Sequence, residues 1–173
     1  MQRNKTNPII TRKDIPEIKP DLIDVTSVFN PGAIKFQDKY LLMLRVQNRA
    51  RETYFVMAES ENGVDFKVEK EFIEWTGLGI IREKIYHLYD PRITRISQKK
   101  DVFFIMFAMN LESGSKLGLG KTVDFKHFEF LGIASNEDNR NGVLFPEKVN
   151  GKFLRLDRPN KVQLEDGPLT GSA

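Results

Sequence analysis

Asp90 is the residue whose surroundings ask the most of it. It precedes Pro91-Arg92 and opens the run Ile93 to Ile96, which reads as a β-strand. An acid at the start of such a strand is costly to bury unless it is paired or used, so Asp90 either caps a turn or carries chemistry. The pattern around it recurs. Asn30 precedes Pro31, and Phe145 precedes Pro146, with Glu147 and Lys148 just after. If the innermost strand of each repeat lines a common axis, side chains at these positions converge on one funnel, where an acid and a few cations could act on a polar substrate.

The elements that must hold these residues are short runs rich in Val, Ile, Phe and Tyr: Ala33 to Phe36, Tyr40 to Val46, Tyr54 to Glu59, Ile93 to Ile96, Val102 to Met109 and Lys152 to Leu156. Each reads as a strand. Turn signals separate them at Gln37-Asp38, Glu61-Asn62-Gly63, Gln98-Lys99-Lys100 and Asn150-Gly151, which predicts consecutive antiparallel hairpins. The hairpins are related to one another. Asn30-Pro31-Gly32-Ala33-Ile34 leads into Tyr40 to Arg45, Asp90-Pro91-Arg92-Ile93-Thr94 into Val102 to Phe107, and Pro146-Glu147-Lys148-Val149 into Lys152 to Leu156; the prolines are spaced by 60 and 55 residues. A second echo matches the stretch Ala58 to Phe66 with Gly120 to Phe125. A period of this size with about four short strands per unit is the pattern of β-propeller blades, and about 4 to 8 blades close such a ring. The expectation is therefore an all-β chain forming one domain over residues 1–173 that supplies roughly the first three blades and is incomplete at its C-terminal end. A small β-sandwich with coincidental repetition is the competing architecture.

The composition is that of a soluble globular protein, 40% hydrophobic and 29% charged. Without cysteine there is no disulfide framework and no thiolate metal site, and a cytoplasmic location is expected. The N-terminal stretch has no apolar run of signal-peptide length, and no segment approaches the roughly 20 apolar residues of a membrane helix. The 27 basic and 24 acidic residues are interleaved along the chain, which argues against nucleic acid as a partner. Two or three arginines aimed into one pocket would still suffice for a small phosphate. His87 and His127 lack metal-ligand spacing, so no metal is expected. Gly114 to Gly120 has neither the lysine spacing nor the following helix of a nucleotide loop. Trp75 reads either as a sugar-stacking platform or as a buried aromatic.

The ordered series Asn30-Pro31-Gly32-Ala33, Leu42-Met43-Leu44-Arg45-Val46, Tyr89-Asp90-Pro91-Arg92-Ile93-Thr94, Val143-Leu144-Phe145-Pro146-Glu147-Lys148 and Asp157-Arg158-Pro159 resembles the motif series of glycoside hydrolase family 130. The resemblance spans nearly the whole chain. It implies a five-bladed β-propeller and an inverting phosphorylase that acts on β-mannosides, such as β-1,4-linked mannooligosaccharides or mannosyl-glucose, to release α-mannose 1-phosphate. An inverting hydrolase pairs an acid with a base that activates water; a phosphorylase dispenses with the base, because phosphate is already an anionic nucleophile. What remains necessary is one proton donor and a cationic cradle.

The resemblance assigns the proton donor to Asp90, acting through a sugar hydroxyl as relay. It assigns the phosphate cradle to Arg140 and Arg158 with Lys148 as a third member, the mannosyl hydroxyls to Asn30 and Arg45, and the rim to Arg49 and Asp157. Inorganic phosphate is then the co-substrate, with no further cofactor. Two positions depart from the family pattern: Tyr89 stands where many members have an acid, and Asp157 where many have a histidine. Two other functions remain open from the residues: a β-mannoside hydrolase on the same fold, and a carbohydrate-binding β domain without catalysis. Exposed blade edges would favour association with further copies of the chain.

Overall fold

The computed structural model describes residues 5, 7–97, 102–135 and 138–159. It forms two compact units, Met1–Ile73 and Glu74–Ala173. Among the described residues no helix is long and apolar enough to cross a membrane.

The first unit is a four-stranded antiparallel meander in the order β1 (Ser27–Phe36), β2 (Lys39–Gln47), β3 (Thr53–Ser60) and β4 (Lys67–Phe72). The Gln37-Asp38 turn closes β1 on β2, with Phe36 opposite Lys39 and Gln37 at φ 54°. Alternation along the central strands drives Leu44, Val46, Val56 and Ala58 into a core shared with Ile15 and Leu22 from the preceding segment. Tyr54 stacks on Phe72 with ring centroids 4.4 Å apart. The outer strand reads Lys-Val-Glu-Lys-Glu-Phe, a charged edge that resists pairing with a stray strand.

The second unit contains a five-stranded sheet and a two-stranded ribbon. The sheet order is β5 (Trp75–Thr76), β9 (Phe128–Ile133), β8 (Gly114–Thr122), β7 (Phe103–Leu111) and β6 (Ile85–Arg95), so β6 to β9 repeat the meander of the first unit. The ribbon pairs β10 (Asn139–Leu144) with β11 (Arg155–Pro159). The core is aromatic: Phe103, Phe107, Phe128 and Phe130 are buried with Ile105, Met106, Met109 and Leu117.

The glycine-rich run Gly114 to Gly120 is strand β8, and its glycines make room for this core. A Cβ on Gly118 would lie 2.6 Å from the Phe107 ring, and one on Gly120 2.1 Å from the Trp75 ring. Trp75 is half-buried and packs 4.8 Å from Phe107 and 5.4 Å from Phe128 between ring centroids, against the aromatic core. The indole is rigid and hemmed in, so Gly120→Ala is expected to destabilise the unit by about 1–3 kcal/mol through overpacking. Chemical denaturation checks this, and an unchanged midpoint would show that Trp75 can yield.

The echo between Ala58 to Phe66 and Gly120 to Phe125 is a repeated turn. Ser60 Oγ accepts from the amides of Asn62 and Gly63, and Asn62 Oδ1 from those of Val64 and Asp65. Thr122 Oγ1 likewise accepts from Asp124 and Phe125, and Asp124 Oδ1 from Lys126 and His127. Burial pushes the Asp124 carboxyl up, but its hydrogen bonds from the His127 ring and from two amides outweigh this and hold it well below the usual carboxylate range.

Two features of the third repeat differ from the sequence reading. The strand expected over Lys152 to Leu156 begins at Arg155, and Asn150-Gly151 turns within an isolated bridge between Val149 and Lys152. The strand opposite it is Asn139–Leu144, upstream of Pro146. The expected turn Gln98-Lys99-Lys100 lies outside the described residues.

Candidate active site

Three strands carry the same irregularity. The ladder shifts register between Phe29 and Gly32 in β1, between Tyr89 and Arg92 in β6, and between Arg140 and Val143 in β10. In each, one extra residue is accommodated by a bulge whose first member has a left-handed backbone: Asn30 at φ 46°, Asp90 at φ 55° and Asn141 at φ 54°. Asn and Asp tolerate this conformation better than other residues with a Cβ. Bulges re-aim side chains and are common beside active sites. The proline after Asn30 and Asp90 is replaced in the third repeat by Gly142, where a Cβ would lie 2.6 Å from Leu117 Cδ1 and 3.0 Å from Met106 Cε. A pyrrolidine ring has no room there.

The third copy is therefore centred on Asn141, not on Phe145-Pro146. Anchoring the repeat on proline misplaces it, because packing against Leu117 and Met106 excludes proline from the third bulge. Asn141 is the residue that sequence reasoning missed. The signal was present in the Asx residue followed by Pro or Gly at the head of each repeat.

Register then places the arginines. The residue opposite the position just before each bulge is Arg45 in β2, facing Phe29; Ala108 in β7, facing Tyr89; and Arg158 in β11, facing Arg140. Arg45 and Arg158 thus occupy equivalent positions in their repeats. The Arg45 guanidinium lies over the Phe29 ring at 4.1 Å, a cation–π contact that fixes the fork. In the third repeat the cross-strand partner is itself an arginine.

Within the second unit, Asp90, Tyr89 and Arg92 sit on β6 and Arg140 and Arg158 on the ribbon. Asp90 is half-buried beside the fully buried Pro91, and Arg92 Nη1 donates to the Pro91 carbonyl at 2.9 Å. The Tyr89 hydroxyl lies 3.4 Å from Ser115 Oγ. The ribbon is tied toward β6 where Thr94 Oγ1 donates to the Leu144 carbonyl at 3.3 Å and the Ser97 amide to the Pro146 carbonyl at 2.8 Å. Lys148 lies in the β10–β11 connection with Nζ 4.5 Å from the Phe153 ring centroid. Asp157 is turned to Arg155 and Asn139, accepting from Arg155 Nη2 at 2.6 Å and from Asn139 Nδ2 at 3.1 Å.

Within the first unit, Asn30 and Arg45 stand at the β1–β2 bulge. Arg49 is in the β2–β3 connection, its side chain 84% exposed and 3.8 Å from the Asp24 carboxylate. In the same connection Asn48 Nδ2 donates to Glu52 Oε2 at 2.7 Å, and so does the Tyr54 hydroxyl at 3.1 Å. Burial and the neighbouring Glu52 carboxylate push the Tyr54 phenol up to about 12, so it stays a donor. Among the described residues no group of three or more His, Cys, Asp or Glu side chains is placed to hold a metal ion.

Comparison with known proteins bears on this geometry. A family model for glycoside hydrolase family 130, described as beta-1,4-mannooligosaccharide phosphorylase, matches residues 1–168. The chain is 29% identical to a 4-O-beta-D-mannosyl-D-glucose phosphorylase of Bacteroides fragilis, over 92% of this chain and 44% of that protein. It is 28% identical to a beta-1,4-mannooligosaccharide phosphorylase of Ruminococcus albus, over 91% and 46%. A solved beta-1,2-mannobiose phosphorylase from Listeria innocua, in complex with beta-1,2-mannobiose, superposes with a TM-score of 0.78 at 22% identity, covering 96% of this chain and 60% of that one. The chain thus spans about half the length of the curated relatives it matches. The fold of these neighbours is the five-bladed β-propeller, and the meanders described above are blades of that fold.

Proposed function

Because the chain belongs to glycoside hydrolase family 130, we propose that it provides the proton donor and the phosphate cradle for inverting phosphorolysis of β-mannosides, with α-mannose 1-phosphate as product. The observation that carries this reading is the facing pair Arg140 and Arg158, set at the bulge of a strand built like the one that presents Asp90.

In this reading a phosphate oxygen attacks the anomeric carbon from the face opposite the glycosidic bond, and the bonding pair leaves with the glycosidic oxygen. The Asp90 carboxyl supplies the proton to that oxygen through a sugar hydroxyl. Arg140 and Arg158 hold the nucleophile in line and offset its charge, and Lys148 adds a third cation to the cradle. Asn30 and Arg45 have the role of gripping mannosyl hydroxyls, and Arg49 stands at the rim. A site that used water would gain nothing from two arginines at facing strand positions. The relatives named above include enzymes for β-1,4-linked and β-1,2-linked substrates, so the reading extends to the mannosyl donor and not to one linkage.

Proton and phosphorus NMR of the first-formed product test it. β-1,4-Mannobiose with phosphate is expected to yield the α-anomer of mannose 1-phosphate. A β-anomer would rule out single displacement, and free mannose formed without phosphate would move the assignment to a hydrolase.

A further inference from the structure

The ribbon that carries Arg140 and Arg158 is fastened on its reverse face. Along a strand, alternate side chains share a face, so Arg155 and Asp157 stand together while Arg158 points the other way. Arg155 Nη2 donates to Asp157 Oδ2 at 2.6 Å, and Nε stands 2.5 Å from Oδ1 as an ion-pair contact. Asn139, 5% exposed and next to Arg140, donates to the same carboxylate at 3.1 Å. The remaining Arg155 nitrogen, Nη1, donates to the Ala134 carbonyl. That segment is itself pinned to the five-stranded sheet: the Ala134 amide donates to the Leu117 carbonyl at 2.7 Å, and Ser135 Oγ accepts from the Leu117 amide at 2.9 Å.

A continuous chain of bonds therefore runs from β8 through Ala134, Arg155 and Asp157 to Asn139, across both strands of the ribbon. We propose that Asp157 and Arg155 are positioning residues for the phosphate cradle, a clamp that holds β10 and β11 in register beneath the two arginines on the opposite face. This rests on the phosphorolytic reading above and reassigns Asp157, which the motif resemblance had placed at the sugar rim. Both carboxylate oxygens of Asp157 are engaged within the protein, and its strand neighbour Arg158 faces the other way. The clamp fixes the strands that carry both arginines before the anion arrives, so less freedom is lost on binding.

The test is titration of the 173-residue chain with inorganic phosphate and, separately, with β-1,4-mannobiose, for the unmodified protein, Asp157→Asn, Arg155→Gln and the double variant, with hydrogen exchange of the β10 and β11 amides in parallel. Asp157→Asn and Arg155→Gln are each expected to weaken phosphate binding about tenfold, with the double variant no weaker than either single one, because each breaks the same link. Mannobiose affinity stays within about twofold, and ribbon amides exchange faster in all three variants. Loss of mannobiose binding with phosphate affinity intact would return Asp157 to the sugar rim and overturn the proposal. Unchanged exchange in the ribbon would overturn the clamp itself. An unmodified chain that binds no phosphate, yet whose ribbon loosens in Asp157→Asn, would bring down the phosphate reading while leaving the clamp as a structural device.

Discussion

Asp90→Asn is expected to lower the phosphorolysis of β-1,4-mannobiose by about 10²–10⁴-fold, the range of a lost general acid. The substitution is isosteric, and its backbone demand is already met in this fold: asparagine occupies the equivalent left-handed bulge position in both other repeats, Asn30 at φ 46° and Asn141 at φ 54°. The variant should therefore fold, and any loss of rate reports on the proton. A β-mannoside with an acidic phenol as leaving group needs no proton to depart, so the same variant should retain most of its activity on it. Equal loss on both substrates would mean that Asp90 acts by some means other than proton donation.

Arg140→Ala is the second large effect. Charge-assisted hydrogen bonds contribute about 1.5–3 kcal/mol each, so removing one fork of the cradle is expected to raise the KM for phosphate by about 10–100-fold while the KM for mannobiose changes little. Arg140→Lys keeps the charge and loses the planar fork, and should fall between the two. Arg140 is an exposed residue facing another arginine, so its removal should leave unfolding free energy within about 1 kcal/mol of the parent. A KM for phosphate unchanged in Arg140→Ala would remove the arginine from the cradle.

Much of this arrangement was legible in the sequence, for physical reasons that differ by element. The hairpins at Gln37-Asp38 and the strands Tyr40 to Val46 and Val102 to Met109 declare themselves through β-branched and aromatic runs bounded by turn residues. The bulges at Asn30 and Asp90 are marked by an Asx-Pro pair, since the left-handed residue and the rigid ring that follows are both local requirements. The third bulge keeps the Asx residue but not the proline, because its sequence answers a non-local requirement: Gly142 is glycine to clear Leu117 and Met106, side chains more than twenty residues away. Proline then drew the reading downstream to Phe145-Pro146.

The equivalence of Arg45 and Arg158 needed the register, as a one-residue bulge changes which residue faces which. The direction of Asp157 was likewise invisible. The Arg155-x-Asp157 spacing was the available clue, because residues two apart on a strand share a face, but it carries weight only once β11 is known to be a strand. The same holds for the packing of Trp75 over Gly120.

The most direct test of the central claim is product analysis of the 173-residue chain with β-1,4-mannobiose, with and without inorganic phosphate, resolving mannose 1-phosphate from free mannose. A facing arginine pair serving as a phosphate cradle predicts mannose 1-phosphate that rises with phosphate concentration and vanishes in its absence. Free mannose released at the same rate whether or not phosphate is present would contradict it.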